Sequence, residues 1–359
     1  MRLLLVAAAN SIHTRRWADA FAESGHEVHV ISQHAPSESY REDVRMHLLP
    51  HRGGLGYVLN RPAARRIAQS IRPDAINAHY ATGYGTLAPQ LEGVPLILNV
   101  WGSDVYEFPD TSALHLWLLR RNLLRADAVV STSRVMAERT RAVCPDLAQI
   151  DVVPFGVDMD RFAPAPKPAG RLVFGTVKTL APKYGIDTLL HAFARVAAEA
   201  DLQHARLRIV GGGPERTQLE ALARTLRIAD RVDFIGAVPH ARVPEELNAL
   251  DVYIALSRTD SESFGVAVIE ASACGLPVVV SRVGGLPEVV EEGRTGLVVP
   301  KEDPKAAAEA MLRLAREHAL RATMGNAGRA LVLDRYAWSS CVDRQLAVIA
   351  SAIETMRGS

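Results

Sequence analysis

The sequence predicts an α/β protein of two domains, each built on a parallel sheet with helices on both faces. Three observations carry this reading. The chain has 359 residues, more than the ~250–300 at which a single core stops growing. Short aliphatic or β-branched runs alternate with amphipathic helical patterns, which is the signature of parallel strands joined by crossover helices. That alternation halts at one Pro-rich stretch and then begins again.

In the first half, Arg2 to Ala9, His26 to Ser32, Asp74 to His79, Pro95 to Val100, Asp127 to Thr132 and Ile150 to Val153 are bounded by turn residues and read as strands. Helical patterns run over Arg15 to Ser24 and Pro62 to Ile71. Pro154 to Arg171 contains Pro154, Pro164, Pro166 and Pro168 without periodicity and reads as a linker. Beyond it, Leu172 to Val177, Arg206 to Val210, Arg231 to Gly236, Val252 to Leu256, Pro277 to Ser281 and Gly296 to Val299 are predicted strands, with helices over Ile186 to Ala200 and Glu215 to Arg227. The predicted organisation is therefore a first domain over 1–153, a linker over 154–171, a second domain over 172–335 and a C-terminal helix over 336–359. That last helix is long enough to return to the first domain.

Composition narrows the function. With 48% hydrophobic and 23% charged residues, the chain has a globular composition. Its apolar runs fall short of the ~20 residues that span a bilayer, and Leu3 to Ala9 reads as a strand without a signal-peptide cleavage site. Cys144, Cys274 and Cys341 are far apart and lack metal-ligand spacing, which argues for a reducing compartment and against a zinc site or disulfide framework. A net charge of +1, with no basic stretch interleaved with aromatics, argues against nucleic acid.

The segment Ser261-Glu262-Ser263-Phe264-Gly265-Val266-Ala267-Val268-Ile269-Glu270 follows a predicted strand, and its apolar spacing marks a helix beginning near Phe264, with Glu270 about two turns in. A helix N-terminus presents unpaired amides and partial positive charge, so the amides near Phe264 and Gly265 suit a phosphate or sugar oxygen. Carboxylates beside such a site accept hydrogen bonds from hydroxyl groups.

Glu-x-Phe-Gly-x-x-x-x-Glu over 262–270, with Ala-Cys-Gly-x-Pro-Val-Val-x-Ser over 273–281 and Val-Gly-Gly-Leu-Pro-Glu over 283–288, resembles the group-one, family 4-like retaining glycosyltransferases of the GT-B fold. Val153 to Asp158 with Arg161-Phe162, Gly211 to Pro214 and Gly293 to Leu297 agree in order. The resemblance implies two Rossmann-like domains with a cleft between them, Glu262 contacting the transferred sugar together with Ser263, and Glu270 contacting the nucleotide ribose. It implies donor contacts at Gly212 and Gly213, whose turn would let the backbone approach a ligand, and base reading through backbone near Val238. The family carries Arg and then Lys five or six residues later. Counting back from Gly185 puts Thr179 and Tyr184 at those places, whereas a one-residue shift puts Lys178 and Lys183 there. Only 5 of 41 basic residues are Lys and two fall here, so Lys178 and Lys183 are taken as the phosphate ligands.

In the first half, Ser11, His13 and Thr14 follow the first strand, where the family often has a glycine pair. Trp101-Gly102-Ser103-Asp104 resembles the family's His-Gly-Ser-Asp loop. Trp101 cannot exchange protons and suits sugar stacking, Ser103 lines the same loop, and Asp104 is a candidate catalytic carboxylate. Asp158-Met159-Asp160 has DxD spacing but coincides with the Gly-Val-Asp pattern, so no metal is expected. Leu114 to Arg125, apolar with a tryptophan and three arginines, is read as a core-packed helix, with rest on a membrane surface as the alternative.

The activity implied is transfer of a sugar from a nucleoside-diphosphate sugar, UDP-linked first and GDP-mannose next, to a hydroxyl acceptor, with retention and without a cofactor. Surface-polysaccharide or glycolipid synthesis, a lipid-linked acceptor, peripheral membrane contact and a cytoplasmic place at the inner membrane face accompany it. A sugar-nucleotide epimerase of the same fold and a non-catalytic nucleotide-sugar-binding subunit are the alternatives.

Overall fold

Runs rich in Val, Ile and Leu can be buried on both faces only where helices cover both sides of a sheet, and the computed structural model, which describes residues 1–166 and 171–358, has that form twice. It divides into two compact units, Met1–Pro154 with Cys341–Ser359, and Phe155–Ser340.

The first unit holds β1 (Arg2–Val6), β2 (Glu27–Ser32), β3 (Val44–Leu48), β4 (Ala75–His79), β5 (Leu96–Val100), β6 (Ala128–Ser131) and β7 (Asp151–Val152). These pair in parallel in the order β3-β2-β1-β4-β5-β6-β7. The second holds β8 (Val173–Val177), β9 (Arg206–Val210), β10 (Val232–Gly236), β11 (Val252–Ala255), β12 (Val278–Ser281) and β13 (Gly296–Val299), also parallel, in the order β10-β9-β8-β11-β12-β13. Each sheet reverses its strand order once, between β1 and β4 and between β8 and β11. Outside the carboxyl ends of strands at such a reversal lies the crevice where doubly wound sheets bind ligands.

Several local expectations are corrected. The first helix begins at Ile12 and not Arg15, so His13 and Thr14 belong to its first turn. β3 was not anticipated, because at the sheet edge only Val44 of its five residues is buried and the hydrophobic signal is weak. The helix after β11 begins at Val266 and not near Phe264, because Gly265 at φ +97° turns the chain first. Glu270 is thus the fifth of eight helical residues, just over one turn in. The helix Ala113–Leu123 buries Leu119 and Leu123 but leaves Leu114 and Trp117 in solvent, so it is not packed into the core along its whole length.

Phe155, Val157 and Phe162 of the Pro-rich stretch are buried in the second unit, and Val157 pairs with Ala337 through a single bridge. Residues 167–170 of that stretch, Pro168 among them, and Ser359 lie outside the described residues. The final helix, Trp338–Gly358, groups with the first unit from Cys341 on. All three cysteines are buried, and none forms a disulfide.

Candidate functional site

At the carboxyl end of β8 the chain leaves the sheet at Lys178, and at the carboxyl end of β11 it runs through 256–265 to the helix Val266–Ala273. These two exits flank the strand-order reversal of the second unit. They bring Lys178 and Glu262 together: Nζ lies 2.9 Å from Oε1, with side-chain exposures of 15% and 8%. Burial alone would weaken the lysine's charge, but the field of Glu262, and then of Tyr253 and Tyr184, outweighs it and drives the ammonium's pKa above its ordinary value. Lys178 is therefore held as the ammonium, buried against the Glu262 side chain.

Tyr184 joins the two candidate lysines. Its ring centre lies 4.7 Å from Lys178 Nζ and 5.1 Å from Lys183 Nζ, so one aromatic face region attracts both ammonium groups. Lys183 sits in a short turn, Pro182–Tyr184, whose position is fixed where the amide of Arg258 donates to the Lys183 carbonyl at 2.8 Å.

The glycines serve this loop geometry. A Cβ on Gly213 would lie 2.3 Å from the Leu180 carbonyl oxygen, so glycine there lets the Gly211–Gly213 turn pack against the lysine loop. That close approach is of backbone to backbone; a Cβ on Gly212 would meet only Ala237, at 3.4 Å, and Gly212 is half-exposed. Gly285 does the same on the other side, where a Cβ would lie 2.2 Å from the Ser263 carbonyl oxygen while its amide donates to the Glu262 carbonyl at 2.9 Å. The Val-Gly-Gly-Leu-Pro-Glu motif thereby supports the backbone that presents Glu262. Phe264 is buried with its ring edge-on to Phe155 and Tyr336, so its side chain is taken up by packing. Ser263 is buried beside it, and Val238, in the loop after β10, is half-buried. Glu270 is buried and its Oε1 lies 3.1 Å from His240 Nε2.

At the first unit's reversal the chemistry is different. Trp101, at the end of β5, packs against His79, at the end of β4, with ring centres 4.2 Å apart and planes tilted by 37°, and meets His13 edge-on at 5.8 Å. His79 is buried; that burial, and then the nearby His13, lowers its pKa to about 3, so it is neutral at ordinary pH. Thr14 Oγ1 lies 3.2 Å from its Nδ1. Asn99 Nδ2 donates to Asn77 Oδ1 at 2.6 Å, and Gln345 Nε2 reaches the same oxygen at 3.4 Å. Ser11 precedes the helix Ile12–Glu23 without a side-chain capping bond and lines a small cavity of about 250 Å³ together with Asn10, Arg15 and Glu38.

Asp104 is 1% exposed. Its carboxylate accepts from the amides of Ala81 at 2.9 Å, Trp101 at 3.1 Å and Gly102 at 2.8 Å, so it ties the ends of β4 and β5 together. Burial pushes its pKa up, against the pull of those amides. Its neighbour Ser103 is exposed. A larger cavity of about 590 Å³ opens beside β6, β7 and the C-terminal helix, away from every candidate residue.

Two family models match this chain: "Glycosyl transferases group 1" over residues 159–331 and "Glycosyl transferase 4-like" over residues 2–133. A D-inositol 3-phosphate glycosyltransferase 1 of Catenulispora acidiphila is 30% identical over 361 residues, covering 92% of this chain and 82% of the relative. The chain belongs to the group 1 glycosyltransferases. Within that group it is also similar to a GDP-mannose-dependent alpha-(1-6)-phosphatidylinositol monomannoside mannosyltransferase of Mycolicibacterium smegmatis, 35% identical over 235 residues. That match spans 61% of this chain and 61% of the relative's length. A crystal structure of Anabaena HepE in complex with UDP superposes with a TM-score of 0.83 at 18% identity, covering 98% of this chain and 100% of that one, and identifies the fold as GT-B.

Sequence reasoning about this group 1 chain missed His79, Asn77, Asn99, Gln345 and His240, and passed over Tyr184 in favour of Lys183. A signal existed for three of them, since Asn77, His79 and Asn99 are polar interruptions near the ends of otherwise aliphatic strands. Such residues are buried only with partners. Nothing in the sequence marked His240 or Gln345, whose partners lie 30 and 268 residues away.

Proposed function

We propose that this protein transfers a sugar from a nucleoside-diphosphate sugar to a hydroxyl acceptor, with retention of anomeric configuration. The observation that carries the proposal is the buried Lys178–Glu262 pair at the strand-order reversal of the second unit, with Lys183 held to the same Tyr184 ring. Lys178 and Lys183 hold the diphosphate, joined by main-chain amides about Phe264 and Gly265 at the start of the helix Val266–Ala273. Glu262 and Ser263 orient the transferred sugar, Glu270 accepts from ribose hydroxyls, and backbone near Gly212, Gly213 and Val238 borders the nucleoside.

As the bond from the anomeric carbon to the diphosphate oxygen breaks, the acceptor oxygen bonds to that carbon on the same face. The acceptor's proton passes to the departing diphosphate, whose growing charge the lysines stabilise. Trp101, His13, Ser11 and Ser103 border the acceptor, and Asp104 acts through the loop it organises. No metal takes part in this scheme.

UDP-sugars are the first choice of donor, as HepE is described in complex with UDP. GDP-mannose is the second, supported by the name of the mycobacterial relative. A glycolipid or surface-polysaccharide acceptor fits the exposed apolar side chains of Leu55, Val58 and Leu59 and of Leu114 and Trp117, with Arg121 lying 5.6 Å over the Trp117 ring. Among the described residues no helix is long and apolar enough to cross a membrane; the proposed contact with lipid is peripheral, at the inner face on the cytoplasmic side.

Calorimetric titration with UDP, GDP and their sugars, followed by mass spectrometry of donor and acceptor mixtures, tests the reading. Micromolar binding of one nucleotide and a product heavier than the acceptor by one sugar are expected. An epimerised donor formed without acceptor, or no nucleotide binding at millimolar concentration, would overturn it.

A further inference from the structure

We infer that His240 is a positioning residue for the carboxylate of Glu270, fixing which of its oxygens meets the ribose; the inference rests on the donor reading above. His240 lies in the loop after β10, and its Nε2 is 3.1 Å from Glu270 Oε1. A carboxylate is only an acceptor, so this ring nitrogen carries the hydrogen whichever charge state the imidazole has. One oxygen of a buried carboxylate is thereby engaged by the protein, and Oε2 is left for the ligand.

His240 is itself held from two sides. Arg161 Nη2 donates to the His240 carbonyl, and the buried ring of Phe162 lies 5.9 Å from the imidazole. Both residues belong to a turn closed by Asp158, whose Oδ1 accepts from the amides of Asp160 at 3.1 Å and Arg161 at 3.0 Å. Arg329 fixes the far end of that turn by donating to the Phe162 carbonyl at 3.0 Å.

The Gly-Val-Asp-Met-Asp-Arg-Phe stretch over 156–162 thus has a physical use that its DxD spacing conceals. Its first aspartate caps a turn, and the turn's next residues seat a histidine on the ribose carboxylate. Without the histidine, Glu270 is free to rotate, and a rotating acceptor loses selectivity before it loses charge.

The test compares affinity for UDP with that for its 2′,3′-dideoxy analogue, using GDP and its analogue if GDP is the nucleotide bound. The wild-type protein should prefer the ribonucleotide by about tenfold or more, the worth of one hydrogen bond to a charged acceptor. His240→Ala should reduce that preference to about threefold or less while inorganic pyrophosphate still competes with unchanged affinity. His240→Gln, whose amide nitrogen can take the place of Nε2, should recover most of it. Full preference in His240→Ala, or equal loss of pyrophosphate and ribonucleotide affinity, would overturn the inference. Absence of any preference in the wild-type protein would instead overturn the assignment of Glu270 to ribose.

Discussion

The two strand-order reversals have the same topology and opposite chemistry. In the second unit the reversal is lined by buried acidic side chains with partners, Glu262 ion-paired with Lys178 and Glu270 hydrogen-bonded to His240. In the first it is lined by neutral groups, the His79 and Trp101 rings and the amides of Asn77 and Asn99, while the charge of Asp104 is taken up by three backbone amides. The difference teaches that strand order fixes where a site lies, and the side chains at the strand ends decide what it can hold. A charged half suits a diphosphate, and a neutral, aromatic half suits the face and hydroxyls of an uncharged sugar.

The sharpest way to break that contrast is to remove one charge from the second unit. Lys178→Ala leaves Glu262 buried and unpaired, and loss of one partner from a buried pair costs about 3–5 kcal/mol. Denaturant unfolding should show a loss of that size, and a loss below about 1 kcal/mol, the size of a surface pair, would mean the pair is solvated and not a fixed part of the site. Next in size, Glu262→Gln keeps the shape and removes the charge. Turnover should fall by roughly 10²-fold, the scale of loss when a reacting group is misplaced, with nucleotide affinity changed much less. Equal activity in the variant would remove Glu262 from the mechanism.

The neutral half can be tested by pH. His79 titrates near 6.5 when unfolded and at about 3 when folded. The folded state therefore binds fewer protons between those values, and stability is fully present above 6.5 and is lost as pH falls toward 3. From pH 7 to pH 5 the loss should be about 2 kcal/mol, at 1.36 kcal/mol per pH unit below the unfolded value. His79→Asn should remove that part of the pH dependence, and an unchanged slope would show that His79 is not the proton-linked group.

The contrast also explains what could be read from the sequence. Both sheets were legible because strands buried on both faces write continuous aliphatic runs, whereas edge strand β3, buried at Val44 alone, wrote almost nothing. Glu262, Glu270 and the lysines were legible because they lie in a contiguous motif or a lysine-poor chain. Their partners were not. His240 and Tyr184 act through distances set by the fold, and the neutral network depends on Gln345 reaching Asn77 across 268 residues. Sequence spacing reports helix faces and turns, and is silent on which loops a sheet brings side by side.

The smallest predicted effect tests the division of labour most directly. Trp101 packs against His79, with ring centres 4.2 Å apart, and the proposed scheme assigns its ring to the acceptor alone. Trp101→Ala should raise the acceptor KM by about threefold to tenfold, the worth of one aromatic face, and Trp101→Phe should recover part of it. Nucleotide affinity measured by calorimetry should stay within about twofold of wild type, because every group assigned to the nucleotide belongs to the second unit. If nucleotide affinity falls as far as the acceptor KM rises, Trp101 serves the donor and the separation of a charged from a neutral site fails. If only the acceptor term moves, the neutral chemistry at the ends of β4 and β5 is where the acceptor is chosen, and substitutions there should alter acceptor preference without changing the donor.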